Sequence, residues 1–305
     1  MLITQREIDY RTYVKGDEDL WFRLLREAYG NLESRSLEEI RQLVRSKNFS
    51  PEFLFFAAFG KEIVGSVRIQ PLPRKDYYEL WDLAVSKKYQ KSQVLDILLE
   101  KALNFLKVKK SQFIRGYTLS IEPYVSAYVY KGLKPTRRMF RIDWNPKEDL
   151  PHMQTREDII VKEGSSYDPE KLANIFVKAL SPFWDWWILD YGGPEELAKV
   201  MKARFFSVSN KMRWLVAELD KEPVGLTGYT SRNGNGRFFG VHVLPRYRMK
   251  QIGSTLMNNV LDKVKRSGLK SLRVYTVAFL DHLAPGAILY LKSGGRISAE
   301  YLQLV

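Results

Sequence analysis

The chain has no cysteine in 305 residues. That excludes disulfides, thiolate metal sites and a cysteine nucleophile, and the expectation is an intracellular, cytoplasmic protein. Histidine is scarce, at three residues, and no HExxH, GxSxG or GxxxxGK[ST] occurs. Nothing therefore supports a zinc peptidase, a serine hydrolase or a P-loop enzyme, and no metal is expected. Long apolar runs are missing too. Phe53–Phe59 is among the longest and is far too short to span a membrane. Met1–Tyr10 has no signal-peptide hydrophobic stretch.

What is present is a core. Hydrophobic residues make up 45% and aromatics 13%, too apolar for a disordered chain. The length suits one large or two medium domains. Forty-nine Lys and Arg against 35 Asp and Glu give a net charge of +14, which favours anionic partners or simply a solvated basic surface.

The sequence repeats itself. KEIVG (Lys61–Gly65) returns as KEPVG (Lys221–Gly225), Tyr89–Leu103 as Tyr247–Leu261, and AYVYKGL (Ala127–Leu133) as LYLKSGG (Leu289–Gly295). Three matches in one order, 158 to 162 residues apart, indicate a duplicated domain. The polar stretch Trp144–Asp158 holds two prolines and no periodicity, and marks the seam. The expected division is a first domain at 1–146, a linker at 147–157 and a second domain at 158–305.

Each half alternates strands and helices. In the second, DIIVKEG opens as a strand, and Asp168 caps a helix with Pro169 at its first position. PEELAKVMKARFF is a second helix beginning at Pro194. RWLVAEL and VGLTGYT are strands joined at DKEP, and SRNGNG is a tight turn before RFFGVHV. A long helix follows with Ile252, Leu256, Val260 and Val264 on one face, then the strand SLRVYTV, a short helix over Ala287–Leu291 and a closing strand. The first half repeats this order, with helices in GDEDLWFRLLREAYG and SLEEIRQLVRS and strands in FLFFAAFG, IVGSVRI and YELWDLAV.

A strand ending in Val, then P-x-Y-R-x-x-x-x-G-x-x-L opening a helix, then a strand, then L-Y-x-x-x-G, resembles the GNAT family of acyl-CoA-dependent N-acetyltransferases. The likeness covers both halves. It implies an α/β fold of two tandem GNAT-like domains, each a mixed twisted sheet flanked by helices, acetyl-CoA as cofactor, and a primary amine, small molecule or protein, as acceptor. The family's cofactor turn reads R/Q-x-x-G-x-G/A. In the second half it is Arg248-Met249-Lys250-Gln251-Ile252-Gly253, with one glycine kept. In the first it is Gln90-Lys91-Ser92-Gln93-Val94-Leu95, with both lost. A pyrophosphate needs several donors, and main-chain amides at a helix N-terminus supply them. The resemblance therefore assigns Val243, Leu244 and Arg248 through Ser254 (Arg248, Met249, Lys250, Gln251, Ile252, Gly253, Ser254) to acetyl-CoA, with Arg246 adding charge. In the first half, Leu95 crowds the equivalent place and the turn is read as structural.

Tyr290 matches the family's general-acid tyrosine, and Tyr128 is its counterpart in the first half, read as packing. The strand acid some members use as base falls at Glu79 in the first half and at Arg237 in the second, so no base is assigned. His242 is read as a packed or surface histidine rather than a base. Asp281 and His282 follow the next strand, where acceptor groups lie. The stretch Leu180–Gly193, rich in tryptophan, is read as a linker between helices. By resemblance it supplies acceptor contacts, with Trp184, Asp185 and Trp187 offering rings and a carboxylate to an amine, and Asp281 beside them. Two other classes stay open: a non-catalytic acyl-CoA-binding or interaction module, which the lost glycines suit, and a nucleic-acid binder, against which stands the scatter of the basic residues and the lack of any helix-turn-helix, RNP-like or zinc signature.

Overall fold

The computed structural model describes residues 8–47, 49–90, 92–204, 212–232 and 234–305. Lys91, Asn233 and the end of the Pro194 helix at Phe205–Phe206, all part of the sequence expectations, lie outside the described residues. In chain order the first half holds β1 (Ile8–Thr12), α1 (Glu18–Tyr29), α2 (Leu37–Val44), β2 (Leu54–Phe59), β3 (Glu62–Pro71), β4 (Tyr77–Val85), α3 (Val94–Val108), β5 (Phe113–Leu119) and α4 (Tyr124–Tyr130). Then come β6 (Pro135–Trp144), β7 (Ile160–Glu163), α5 (Pro169–Leu180), α6 (Asp185–Asp190), α7 (Pro194–Arg204), β8 (Arg213–Leu219), β9 (Glu222–Arg232), β10 (Asn235–Val243), α8 (Ile252–Arg266), β11 (Ser271–Ala278), α9 (Pro285–Lys292) and β12 (Arg296–Leu304).

These elements form two compact units, one of residues 1–137 with 301–305 and one of residues 138–300. In the first unit β1 to β4 are antiparallel neighbours, β5 runs parallel to β4, and the end of β12 pairs antiparallel with β5. In the second, β7 to β10 are antiparallel, β11 runs parallel to β10, and β6 pairs antiparallel with β11. Each unit thus takes its last strand from outside its own half of the sequence. This differs from the division expected at 147–157, which falls inside the second unit. The physical reason is register: β6 places Phe140, Ile142 and Trp144 in the core under α8, while Leu304 at the end of β12 lies in the core under α3.

The local structure follows from the sequence. Ser36 and Glu39 form a capping box at α2, and Asp168 accepts from the Lys171 amide at α5, with Pro169 at the first position. Asp220 and Lys221 both have positive φ, which gives the two-residue hairpin joining β8 and β9. Ile252, Leu256, Val260 and Val264 are all fully buried, so the four-residue spacing is the core face of α8. The repeated glycines have a packing cause. A Cβ on Gly65 would stand 2.7 Å from Leu98 Cδ1, and one on Gly225 would stand 3.3 Å from Leu256 Cδ1, so each lets its long helix lie against the sheet. The tryptophan-rich stretch expected as a linker contains the short helix α6.

Candidate active site

Strands β10 and β11 pair only at Asn235–Arg237 with Ser271–Arg273, although β10 continues to Val243 and β11 to Ala278. Beyond Arg237 the two parallel strands part, and a register shift between Phe238 and Val241 bends β10 at the same point. Gly240 sits in that bulge at φ +94. Tyr290 from α9 reaches it: its hydroxyl accepts the Val241 N–H at 2.9 Å, with the ring buried edge-on against Trp144 and Phe238. As an acceptor in that bond, the phenol keeps its own proton to donate. Burial pushes its pKa up to about 12.

A Cβ on Gly240 would stand 3.1 Å from the Tyr290 hydroxyl and 3.5 Å from His242 Nε2. Gly286, one turn before Tyr290 on α9, would place a Cβ 3.8 Å from the same hydroxyl. The two glycines therefore let the β10 bulge and the first turn of α9 come to contact distance of the Tyr290 hydroxyl. His242 packs 4.4 Å from Phe176, with Nε2 3.0 Å from the Phe239 carbonyl, and burial lowers its pKa to about 4. It is a neutral, packed histidine.

The first half fills the same places. The repeat sets Asp82 at Gly240, Leu83 at Val241 and Tyr124 at Gly286. Asp82, also at positive φ, is buried between Arg68 and Arg35, each 2.7 Å away. Burial opposes its ionisation, but the two guanidiniums win and hold its carboxyl well below the usual range. Tyr29 donates to the Leu83 carbonyl at 2.6 Å and meets Tyr124 edge-on at 5.5 Å, and Tyr124 and Tyr128 are fully buried. The gap between β4 and β5 is occupied by the protein's own tyrosines.

The turn before α8 is unusual. Met249 and Gln251 both have left-handed φ near 60°, and Gln251 is the N-cap without a side-chain cap. The first helical bond runs from Thr255 N–H to Gln251 O, so the amides ahead of it have no intrahelical acceptor. The corresponding turn in the first half differs: Gln93 has φ −78, Ser92 Oγ takes the Val94 N–H at 3.4 Å, and Leu95 is buried in the core. Gly253 faces α9, where a Cβ would meet Leu289 at 3.3 Å.

Not every expected charge is available to a phosphate. The Arg248 guanidinium donates to the Ala179 and Ser181 carbonyls at 2.9 and 2.6 Å, reaches the Val243 carbonyl at 3.3 Å, and lies over Phe183 at 5.3 Å. Its side chain ties the end of α5 to the turn, a role that a count of charges in sequence does not show. Arg246 reaches Glu222 at 3.4 Å. Lys250 lies 5.4 Å from the Tyr247 ring, Met249 is 97% exposed, and Ser254 is half-buried.

The expected acceptor residues separate into two groups. Trp184 and Trp187 are half-buried, packed with Phe176 and Tyr191 in the cluster between α5 and α7, and Asp185 is exposed at the start of α6. Asp281 is exposed and bonds His282 Nδ1 at 2.7 Å, and the His282 ring stacks on Phe279 at 4.3 Å. Phe183 links the regions by touching both Arg248 and Phe279.

Among the described residues no helix is long and apolar enough to cross a membrane. The chain matches no curated protein sequence. Solved structures do match. A GCN5-related N-acetyltransferase from Sphaerobacter thermophilus aligns over 98% of this chain and 95% of that one, with TM-score 0.75 and 15% identity. A tandem GNAT protein from the clavulanic acid biosynthesis pathway aligns over 98% of both chains, with TM-score 0.62 and 14% identity. A glucosamine N-acetyltransferase region of a fungal multi-domain β-N-acetylglucosaminidase aligns over 98% of this chain and 38% of that one, with TM-score 0.70 and 14% identity. At such identities the likeness shows the fold. The family described as "Acetyltransferase (GNAT) family" matches twice, at residues 18–117 and 180–284, one match in each half. The chain belongs to the GNAT acetyltransferase family and carries it in tandem.

Proposed function

We propose that the second half binds acetyl-CoA and transfers its acetyl group to a primary amine by direct attack, while the first half serves as a scaffold. The observation that carries this is the contrast between two copies of one cleft. In the first, Asp82, Tyr29 and Tyr124 pack into it; in the second, glycines stand at the positions of Asp82 and Tyr124, beside the Tyr290 hydroxyl.

The residues fit the cofactor. The uncapped turn Arg248–Ser254 offers main-chain amides and the positive end of a helix dipole to a pyrophosphate. Gln251 serves there despite its side chain, since its left-handed backbone is the conformation glycine would supply. Val243 and Leu244, past the bulge, are placed to align an extended pantetheine chain. When bound, acetyl-CoA supplies an electrophilic thioester to a neutral amine. Tyr290 holds a proton at its hydroxyl and delivers it to the departing sulfur as the new C–N bond forms, and the attacking nitrogen loses its extra proton to solvent. Trp184, Asp185, Trp187 and the Asp281 loop would bound the acceptor.

The test is a thiol-release assay with acetyl-CoA and a panel of primary amines, with products checked by mass spectrometry. Coenzyme A and acetylated amine should appear in equal amounts. Thiol release no faster than in buffer, with every amine, contradicts the reading.

A further inference from the structure

Arg237 and Arg273 are the last paired residues before β10 and β11 part. Their neighbours Phe238 and Leu272 lie in the core under α8, so alternation turns both arginines to the opposite face of the sheet. On that face the register carries on to β6, with Arg273 opposite Asp143 and Tyr275 opposite Arg141. Arg273 donates to Asp143 at 2.6 and 3.3 Å. The buried Arg141 lies 3.7 Å from the same carboxylate and donates to Ser298 Oγ at 2.8 Å. Asp143 is thus shared by two guanidiniums. Arg237, beside them and exposed, has no carboxylate partner among the described residues.

The first half shows what this position holds when no ligand is needed. There the register pairs Glu79 with Arg115, and the two form a buried salt bridge at 2.5 Å. In the second half the acid has become Arg237, and Arg273 takes its carboxylate from Asp143 on β6 instead, which leaves Arg237 a second cation beside an ion pair. A cation set beside another on the adjacent strand is relieved by an anion that binds it.

We propose that the acceptor is an amine that also carries an anionic group, a carboxylate or a phosphate, and that Arg237 engages that group with Arg273 beside it. The proposal rests on the reading of the second half as the transfer site. The arginines stand at the apex of the strand gap, on the face away from α8 and α9, so an acceptor arriving from that face meets them next to the Gly240 bulge. Guanidinium forks suit both carboxylate and phosphate. Nearby positive charge also disfavours an ammonium, which helps keep the attacking nitrogen neutral where no strand acid is present.

The experiment compares matched amines, propylamine with β-alanine and ethanolamine with O-phosphoethanolamine. It measures kcat/KM by thiol release for the wild type, Arg237→Gln and Arg237→Glu, and acetyl-CoA binding for each by calorimetry. Charge-assisted bonds of this kind predict a preference of about 10-fold to 100-fold for the anionic member of each pair. The preference should collapse in Arg237→Gln and invert in Arg237→Glu. Equal use of both members by the wild type overturns the proposal, as does a preference that survives in Arg237→Gln, or failure of either anionic amine to be acetylated or bound by the acetyl-CoA complex. A chain that binds no acetyl-CoA instead sinks the transfer reading itself.

Discussion

Replacing Tyr290 with Phe removes one oxygen and separates two roles of one hydroxyl. The ring stays, edge-on to Trp144 and Phe238, so packing changes little. The Val241 N–H loses its acceptor at 2.9 Å in a partly buried place. An amide left unsatisfied there costs about 1–3 kcal/mol. In a unit of 163 residues (138–300), each kcal/mol lowers the melting temperature by roughly 2–4 °C, so a fall of about 2–12 °C is expected. Loss of the proton donor should lower kcat by about 100-fold, the low end for general acids, because a thiolate leaves more readily than an amide nitrogen. The KM for acetyl-CoA should hold within about twofold, since the hydroxyl acts only as the C–S bond breaks. Differential scanning fluorimetry and steady-state thiol release read the two effects. A variant with wild-type kcat refutes Tyr290 as the acid. A variant with unchanged melting refutes its hold on Val241 and with it the geometry of the bulge.

Other outcomes follow from the same contrasts. Gly286→Tyr, which copies Tyr124, should obstruct the strand gap beside Tyr290 and abolish acetyl-CoA binding while circular dichroism stays unchanged; binding within twofold of wild type would show that acetyl-CoA does not pass Gly286. Asp82→Ala leaves Arg35 and Arg68 without their shared carboxylate and should destabilise the first unit by about 3 kcal/mol in urea denaturation; a change below 1 kcal/mol contradicts the network's structural role. His242 has a pKa lowered to about 4 by burial, so the unfolded chain takes up its proton first, near 6.5. Stability from this group is full above pH 6.5 and is lost as pH falls towards 4, by at most about 3 kcal/mol; His242→Phe should flatten that slope, and an unchanged slope would exclude His242 as its source.

Much of this was legible in the sequence because its signals are local. The Ile252–Val264 stripe, the Asp168 cap and the Asp220–Lys221 turn are each written within a few residues, and each appears in the structure. The repeat gave the doubled fold, and its glycines proved to be contacts with the long helices. What stayed hidden depends on partners far apart in sequence. Nothing local in β6 or β12 says which sheet each will join, since an alternating strand fits either. Arg248 reads as a phosphate ligand until Ala179 and Ser181 come within reach of it. Gly286 was within reach of sequence reasoning: aligning Tyr128 with Tyr290 sets Pro123 on Pro285 and Tyr124 on Gly286, one turn before the tyrosine. Asp82 and Gly240 fall on each other in the same way, but only the structure shows Asp82 held by Arg35 and Arg68 and Gly240 set against the Tyr290 hydroxyl.

The central claim, that only the second half binds acetyl-CoA, is tested most directly by calorimetric titration of acetyl-CoA into the wild-type chain and into Gly253→Leu. That side chain copies Leu95 and would press on Leu289 beside the uncapped turn. The account predicts one site per chain, lost or greatly weakened in the variant with its fold intact. Two sites per chain, no binding at all, or equal affinity in the variant would contradict it.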